Sequence, residues 1–291
     1  MAPQSPQQPA TILVRPTDKG AGCTVMTGTS GYSYLEWVDS GFYPPGTRSA
    51  AMLGLYGRVF SVVELNYTWY QMARSDALAR MVASAPPHLL FAAKLTRTVT
   101  HEREDDWREQ VAHYRQGIGG LKQRLVAILV QLPPGFDRTV ANRRFLAELL
   151  DGLQPLPVAV EFRHASWAVD SVFAELQQRR VSLVSVDEPE LPGLFPCLDV
   201  VTNPALFYVR FHGRNRQGWR SSNMQKKFDY DYSRAELQQW CEDTLSGLVL
   251  RAERGVIFFN NHVRAQAPRN AQLLSQVMGR VAEAMQPGRD R

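Results

Sequence analysis

Cysteine is scarce in this sequence, and long apolar runs are absent. The three cysteines, Cys23, Cys197 and Cys241, lie far apart and are odd in number, which argues against a disulfide framework and a thiolate zinc site. No apolar stretch approaches the roughly 20 residues that span a bilayer, and the amino terminus has no charged start before an apolar signal core. We therefore expect a soluble, cytoplasmic protein with no membrane partner.

Several common catalytic motifs are also missing. The sequence contains no Gly-x-Ser-x-Gly nucleophile elbow, no phosphate-binding Gly-x-x-x-x-Gly-Lys loop and no His-Glu-x-x-His helix. The GTSGYS segment has too few glycines at the right spacing for a dinucleotide fingerprint. Nothing in the sequence therefore supports nicotinamide or flavin chemistry.

The charge balance is mildly basic, with a formal net charge of +5. A basic surface raises the local concentration of phosphates. This weakly favours an anionic small molecule or a nucleic acid as partner, and it leaves the oligomeric state open.

The sequence does contain a short apolar run followed by a polar or ionisable cluster, about eight times over. Such runs, separated by helical patterns, indicate parallel strands that helices cover on both faces. Eight of them match a (β/α)8 TIM-like barrel of the α/β class, which typically needs about 250 residues. The runs are Cys23 to Tyr32, Val62 to Asn66, Leu89 to His101, Val126 to Pro134, Val158 to His164, Val181 to Pro189, Leu206 to Arg214 and Gly255 to His262.

No internal linker interrupts this alternation, so we expect one barrel domain over residues 21–285. Residues 1–20 are rich in proline and glutamine and lack periodicity, which predicts a disordered amino-terminal arm. Residues 286–291 are predicted to form a disordered tail for the same reasons.

The catalytic groups of such barrels lie at the carboxyl ends of the strands, where this sequence places its polar clusters. Alternation along a strand sends Glu161 and Arg163 to one face, and Arg210 and His212 to one face of another strand. The predicted catalytic groups, acting as general acids and bases or as ligands of a divalent metal, are Glu64, Glu161, Asp187 and His212.

Cationic side chains at the strand ends are predicted to bind an anion. Lys94, Arg163 and Arg210 would clamp the anion and stabilise developing charge. Lys94 is the most informative of them, since a lysine in an apolar strand is costly unless it is paired. Further predicted substrate-binding residues at the strand ends are Asn66, Tyr70, Gln131, Trp167, Asn260 and Asn261.

The longest irregular segment, residues 213–232, interleaves basic and aromatic side chains. This mixture suits an anionic, stackable ligand, and the loop after the seventh strand commonly borders a phosphate site in TIM barrels. Arg216 and Lys227 are its predicted binding residues. A solvated surface loop is the other interpretation of the same pattern.

Two interpretations of the ionisable set stay open. In one, Glu64, Glu161, Asp187 and His212 hold a divalent metal. In the other, the same three carboxylates balance Lys94, Arg163 and Arg210 one for one, in a closed network without any cofactor. A buried pair of Glu161 and Arg163 would be part of that network.

The ordered series of segments resembles a known family, the domain of unknown function numbered 72. The matching segments are GTSGYSYLEW with FYPPG, VELNYTWY, the KLTRTVTH run, LVQLPPGF, VEFRHASW, YVRFHGR, FFNNH and APRNA, from about residue 24 to residue 278. The resemblance implies a TIM-like barrel. It also implies similarity to barrel nucleases that act on damaged DNA with bound metals, although those need more histidine and carboxylate ligands than this chain offers.

We therefore expect an enzyme that acts on a phosphate-containing substrate, a nucleic acid or a nucleotide, at the carboxyl-terminal rim of the barrel. Its reaction would be of the hydrolase, phosphoesterase or nuclease kind. The alternative is a non-catalytic protein that binds nucleic acid or nucleotide through residues 213–232.

Overall fold

The computed structural model describes residues 11–14, 22–221 and 223–284. Within these ranges, nine strands form one curled sheet in the order β1-β2-β9-β8-β7-β6-β5-β4-β3. The strands are β1 (Thr11–Val14), β2 (Cys23–Thr29), β3 (Val62–Leu65), β4 (Leu90–Lys94), β5 (Leu125–Gln131), β6 (Val158–Glu161), β7 (Ser182–Asp187), β8 (Phe207–Phe211) and β9 (Arg254–Phe259).

Strands β2 to β9 coincide with the eight predicted apolar runs, and neighbours among them pair in parallel. Continuous apolar runs form here because these strands are buried on both faces: every residue of β3, β6, β7 and β8 is buried. The α/β class predicted from the sequence is confirmed.

Strand β1 lies within the segment predicted to be a disordered arm. It pairs antiparallel with β2, with Thr11 opposite Met26, so the arm is not unstructured over these residues. The run TILV is rich in β-branched residues and pairs with the otherwise free edge of β2, a signal that the proline and glutamine around it obscured. The rest of the predicted arm and the predicted tail lie outside the described residues.

The two ends of the parallel sheet approach each other. A bridge joins Ser30, directly after β2, to Glu64 in β3, and the amide of Gly31 donates to the carbonyl oxygen of Glu64 at 2.8 Å. A Cβ atom on Gly28 would lie 2.1 Å from the carbonyl oxygen of Val62. Only glycine therefore allows β2 to come this close to β3.

Twelve α-helices connect and cover the strands in the described ranges. No helix there is long and apolar enough to cross a membrane. The helices are α1 (Glu36–Asp39), α2 (Ser49–Tyr56), α3 (Tyr67–Tyr70), α4 (Ser75–Ser84), α5 (Trp107–Ile118), α6 (Val140–Leu153), α7 (Asp170–Gln178), α8 (Arg216–Trp219), α9 (Met224–Phe228), α10 (Arg234–Trp240), α11 (Ser246–Val249) and α12 (Gln266–Ala284).

Helix α6 shows how the helices are built to pack on the sheet. Leu146, Leu149, Leu150 and Leu153 recur three or four residues apart and are all buried. Each such leucine stabilises the fold by about 1.5–3 kcal/mol. The side chain of Thr139 caps the helix by accepting a hydrogen bond from an amide of the first turn.

Candidate functional site at the strand ends

A cavity of about 330 Å³ opens at the carboxyl ends of the strands. Four cationic side chains line it, those of Lys94, Arg163, Arg210 and Lys227. None of the lining residues that the structure describes is an aspartate or a glutamate. The cavity therefore presents cationic groups to whatever enters it, while the carboxylates lie behind the lining.

Arg210 is the centre of a buried ion network. Its Nη2 lies 2.7 Å from Glu64 Oε1, and its Nη1 lies 2.7 Å from Glu161 Oε2. Ser30 Oγ and Tyr208 OH donate to the two oxygens of Glu64 at 2.7 and 2.6 Å. Burial alone would lower the pKa of Arg210, but the two carboxylates raise it above its ordinary value. Arg210 is thus a fixed positive charge.

Strand geometry brings these groups together. Tyr208 and Arg210 are two residues apart in β8, so both face the interior of the curled sheet, and His212 continues the same face. Glu64 pairs in register with Ala92 of β4, so Lys94, two residues further along, shares its face. Parallel strands end at one rim, which is why the polar strand ends predicted from the sequence converge.

Arg163 and His212 extend the network beyond Glu161. Arg163 Nη2 lies 2.5 Å from Glu161 Oε1, although its N–H is directed at His212 Nε2, 2.9 Å away. Burial and the charge of Arg163 hold the pKa of His212 well below its ordinary value, so the ring is neutral. Burial raises the pKa of Glu161, but Arg163 and Arg210 outweigh it and hold that pKa well below the usual range. Asn260 Nδ2 lies 3.2 Å from His212 Nδ1.

Glu188 belongs to this network and was missed by the sequence prediction. Its Oε2 accepts a hydrogen bond from Arg163 Nη1 at 2.5 Å, while its Oε1 has no hydrogen-bond partner among the described residues. Burial raises the pKa of Glu188 to about 7, although Arg163 opposes this shift. Because Val186 pairs with the inward-facing Arg210, alternation also sends Glu188 inward, but this pairing is known only from the structure.

Asp187 faces the other way. It pairs in register with Phe211, and its carboxylate accepts from Arg214 Nη2 at 2.6 Å and from Tyr232 OH at 2.6 Å. Asp187 therefore anchors the loop after β8 and does not join Glu64, Glu161 and His212. The predicted balance of the three cations by Glu64, Glu161 and Asp187 is therefore wrong. The third carboxylate of the network is Glu188, which pairs with Arg163.

The two lysines of the cavity have aromatic neighbours instead of carboxylates. Lys94 Nζ lies 4.6 Å from the ring centroid of Trp69, and Lys227 Nζ lies 3.9 Å from that of Trp219. Among the described residues, neither amine has a carboxylate oxygen within 4.0 Å. Burial and then the charge of Arg210 lower the pKa of Lys94 to about 7, and burial lowers that of Lys227 to about 8. Both amines can therefore lose a proton near neutral pH.

Two histidines that the sequence prediction left out of the site also line the cavity. Burial, and then the charge of Lys94, lower the pKa of His101 to about 4, so this ring is neutral. His262 stacks on Tyr34, with ring centroids 5.0 Å apart. His262 Nδ1 also lies 3.4 Å from Glu36 Oε1.

The structure brings most of the other predicted binding residues to the cavity. Asn66, Tyr70, Gln131 and Asn260 line it, together with Lys227 from the loop after β8. This loop therefore supplies one wall of the strand-end cavity.

Three predicted binding residues lie elsewhere. Trp167 is buried between Phe136 and Phe162, and its Nε1 donates to the carbonyl oxygen of Phe136 at 2.7 Å. Asn261 is fully buried and ties the loop after β8 to α12 by donating to backbone and side-chain oxygens. Arg216 is exposed at the start of α8 and lines a different surface cavity.

The four predicted metal ligands do not form a ligand set. Glu64 and Glu161 are directed at Arg210, the ring of His212 lies between Arg163 and Asn260, and Asp187 is paired elsewhere. In the part of the chain that the structure describes, no group of three or more histidine, cysteine, aspartate and glutamate side chains is placed to hold a metal ion.

Comparison with known proteins gives consistent matches. The family described as "Protein of unknown function DUF72" matches residues 26–290. UPF0759 protein YunF from Bacillus subtilis (strain 168) is 27% identical over 260 residues, which cover 83% of this chain and 92% of that protein.

Two crystal structures of DUF72 family proteins are also similar. One, from Thermotoga maritima MSB8, is 34% identical with a TM-score of 0.79 and covers 87% of this chain and 98% of its own. The other, from Enterococcus faecalis V583, is 25% identical with a TM-score of 0.77 and covers 87% of this chain and 95% of its own.

Proposed function

The chain belongs to the DUF72 family of proteins of unknown function, and we propose that it is an enzyme acting on a phosphate-containing substrate, a nucleotide or a nucleic acid, in the strand-end cavity. One observation carries the proposal: the lining described above holds four cationic side chains and no carboxylate. A cavity with this charge and with aromatic walls suits a phosphate joined to a ring that stacks.

The proposal includes the architecture that positions the cavity. We propose that β2 to β9 form a (β/α)8 TIM-like barrel within one domain over residues 21–285. The order of these strands around the sheet and the bridge between Ser30 and Glu64 support closure of the barrel. Substrates of such barrels bind at the rim where the carboxyl ends of the strands converge.

The pKa values distinguish the groups that keep their charge from the groups that can exchange a proton. Glu161 and Arg210 are held in their charged forms, so they fix the geometry of the rim and stabilise charge. Lys94 and Lys227, which line the cavity and whose pKa values are about 7 and about 8, can gain and lose a proton near neutral pH. General acid and base catalysis of a hydrolase or phosphoesterase reaction needs groups of this second kind.

Isothermal titration calorimetry with inorganic phosphate and with adenosine monophosphate tests the binding part. Lys227→Ala should raise the dissociation constant roughly tenfold, about 1.4 kcal/mol, because it removes one cation of the lining. Lys226→Ala is the matched control, since its exposed neighbouring side chain lies outside the lining, and it should bind as the wild type does. Equal effects of the two variants would overturn the proposed anion site.

Release of phosphate from nucleotides, from p-nitrophenyl phosphate and from single-stranded DNA tests the catalytic part. Turnover that falls by at least about a hundredfold in Lys94→Arg, which keeps the charge but cannot lose a proton, supports an acid or base role of the Lys94 amine. Tight binding with no turnover of any of these compounds would overturn the enzymatic proposal.

A non-catalytic nucleic-acid-binding protein is the second candidate. Arg216, Arg220 and Lys226 are exposed on the loop after β8, where they suit contacts with a phosphate backbone. On this candidate, Arg216→Ala weakens DNA binding and lowers its salt slope by about 1, whereas Glu161→Gln has little effect on binding. On the enzymatic proposal, Arg216→Ala leaves turnover of small phosphate esters unchanged.

A further inference from the structure

We propose that Lys94 is a nucleophile that forms an imine with the carbonyl group of a phosphorylated aldehyde or ketone bound in the strand-end cavity. The inference rests on the proposed function for its anion site. It adds the reacting atom, the Nζ of Lys94, and goes beyond the nucleotides and nucleic acids proposed above to another class of phosphate-containing substrate, small phosphorylated carbonyl compounds.

The fold holds Lys94 in a fixed position at the edge of the cavity. Lys94 is the last residue of β4, and its carbonyl oxygen accepts hydrogen bonds from Thr68 Oγ1 at 2.7 Å and from Tyr114 OH at 3.0 Å. These two bonds fix the end of the strand, while the amine lies over Trp69 and lines the cavity. The nucleophile thus projects from a rigid element into a space that a ligand can enter.

The surroundings of Lys94 favour the neutral amine, which is the nucleophilic form. In the described part of the chain, no carboxylate oxygen lies within 4.0 Å of its Nζ, so the ammonium form has no close counter-charge. Burial and the nearby charge of Arg210 lower the pKa to about 7. Desolvation and a neighbouring cation are the two ways in which proteins activate a lysine amine.

The other cations of the lining can hold the phosphate, and Lys94 is then free to react. Arg163, Arg210 and Lys227 supply positive charge in the same cavity, and a guanidinium suits phosphate oxygens better than an amine does. The sequence uses 28 arginines but five lysines. An arginine at position 94 would supply charge, whereas only lysine supplies an amine that can lose its proton.

The proposed step balances without a further reactant. The lone pair of the neutral amine attacks the carbonyl carbon, and the π electrons of the C=O bond move to oxygen. The C–O bond of the resulting carbinolamine then breaks as the C=N bond forms. The carbonyl oxygen leaves as one water molecule with both protons of the amine.

Reductive trapping tests the proposal. The full-length protein is incubated at pH 7.5 with glyceraldehyde 3-phosphate and sodium cyanoborohydride, and adducts are located by intact mass spectrometry and peptide mapping. One adduct per chain is expected at Lys94, forming at least about tenfold faster than at the exposed Lys226, because burial and the charge of Arg210 lower the pKa of the Lys94 amine to about 7. Inorganic phosphate should slow the reaction, and glyceraldehyde without phosphate should react more slowly.

Two variants complete the experiment. Lys94→Arg keeps the charge but cannot form an imine, so it should lose the rapid adduct, whereas Lys226→Arg should keep it. Adducts spread over the lysines according to exposure in the wild type would overturn the proposal without any need for a variant. If phosphate binds while Lys94 stays unmodified, the imine is overturned and the anion site stands; if phosphate does not bind either, both proposals fail.

Discussion

The arginines and the lysines that line the same cavity have opposite electrostatic surroundings. Arg163 and Arg210 each lie within 2.7 Å of two buried carboxylates, and they share Glu161. Lys94 and Lys227 lie over indole rings instead. The arginine side of the cavity is therefore a closed ion network, and the lysine side is not.

This difference separates the cations that hold the site together from the cations that can react. A cation held by carboxylates keeps its charge at every accessible pH, so it can orient a substrate but cannot exchange a proton. A cation held only by a ring can lose its proton once it is desolvated, which makes it available for acid, base or nucleophilic chemistry. Removal of a cation should therefore destabilise the protein on the arginine side and stabilise it on the lysine side.

The largest effect is expected for Arg210→Met. This change leaves Glu64 and Glu161 buried without their shared counter-charge, and breaking a buried ion pair in this way costs about 3–5 kcal/mol. Urea unfolding at pH 7 measures the loss. Arg251→Met is the control, because Arg251 pairs with Asp199 at the exposed surface and should lose no more than about 1 kcal/mol. Equal unfolding midpoints of Arg210→Met and the wild type would contradict the network.

Lys94→Met is expected to stabilise the protein by roughly 4 kcal/mol at pH 7. The pKa of Lys94 falls from an ordinary 10.5 to about 7 in the folded protein, so the wild type loses stability as the pH falls from about 10.5 to about 7. The advantage of the variant should be largest at pH 7 and below and should vanish near pH 10.5.

Urea unfolding of both proteins at several pH values between 6 and 10 measures this dependence. Lys226→Met, which removes an exposed lysine, should show no such trend. A Lys94→Met variant that is less stable than the wild type at pH 7 would mean that Lys94 has a carboxylate partner in solution.

The smallest effect is expected for Glu188→Gln, on the carboxylate at the end of the arginine side. Its pKa rises from an ordinary 4.5 to about 7 in the folded protein, so the wild type is destabilised as the pH rises from about 4.5 to about 7. The variant should gain about 3 kcal/mol relative to the wild type across this interval. Urea unfolding at pH 4.5 and at pH 7 gives the difference, with the exposed Glu190→Gln as control. A difference that does not change with pH would contradict the raised pKa.

The sequence predicted the strands well because buried parallel strands require continuous apolar runs, and all eight runs became β2 to β9. It also placed Arg210 and His212 on one face, since alternation within a strand is local. The choice between Asp187 and Glu188 is different. It depends on the register of β7 against β8, where Val186 pairs with Arg210, and a single sequence does not contain that register.

Two other differences arose from long-range packing. Trp167 follows the cluster of Glu161 and Arg163 in the sequence, but its ring packs on Phe136, 31 residues away. The sequence also offered three carboxylates for the three cations Lys94, Arg163 and Arg210, because a one-for-one balance satisfies the charges. It did not show that Arg163 would contact two carboxylates. The amine of Lys94 lies over the ring of Trp69 instead of beside a carboxylate.

The pKa of Lys94 in solution distinguishes the two sides of the cavity most directly. With five lysines in the chain, ¹³C-lysine labelling gives a simple NMR spectrum in which each Cε signal reports the charge of its own amine. We predict that one signal titrates with a midpoint near 7 and disappears in Lys94→Arg. If every lysine signal titrates above about 10, Lys94 is an ordinary ammonium ion, and the distinction between the arginine and the lysine side is wrong.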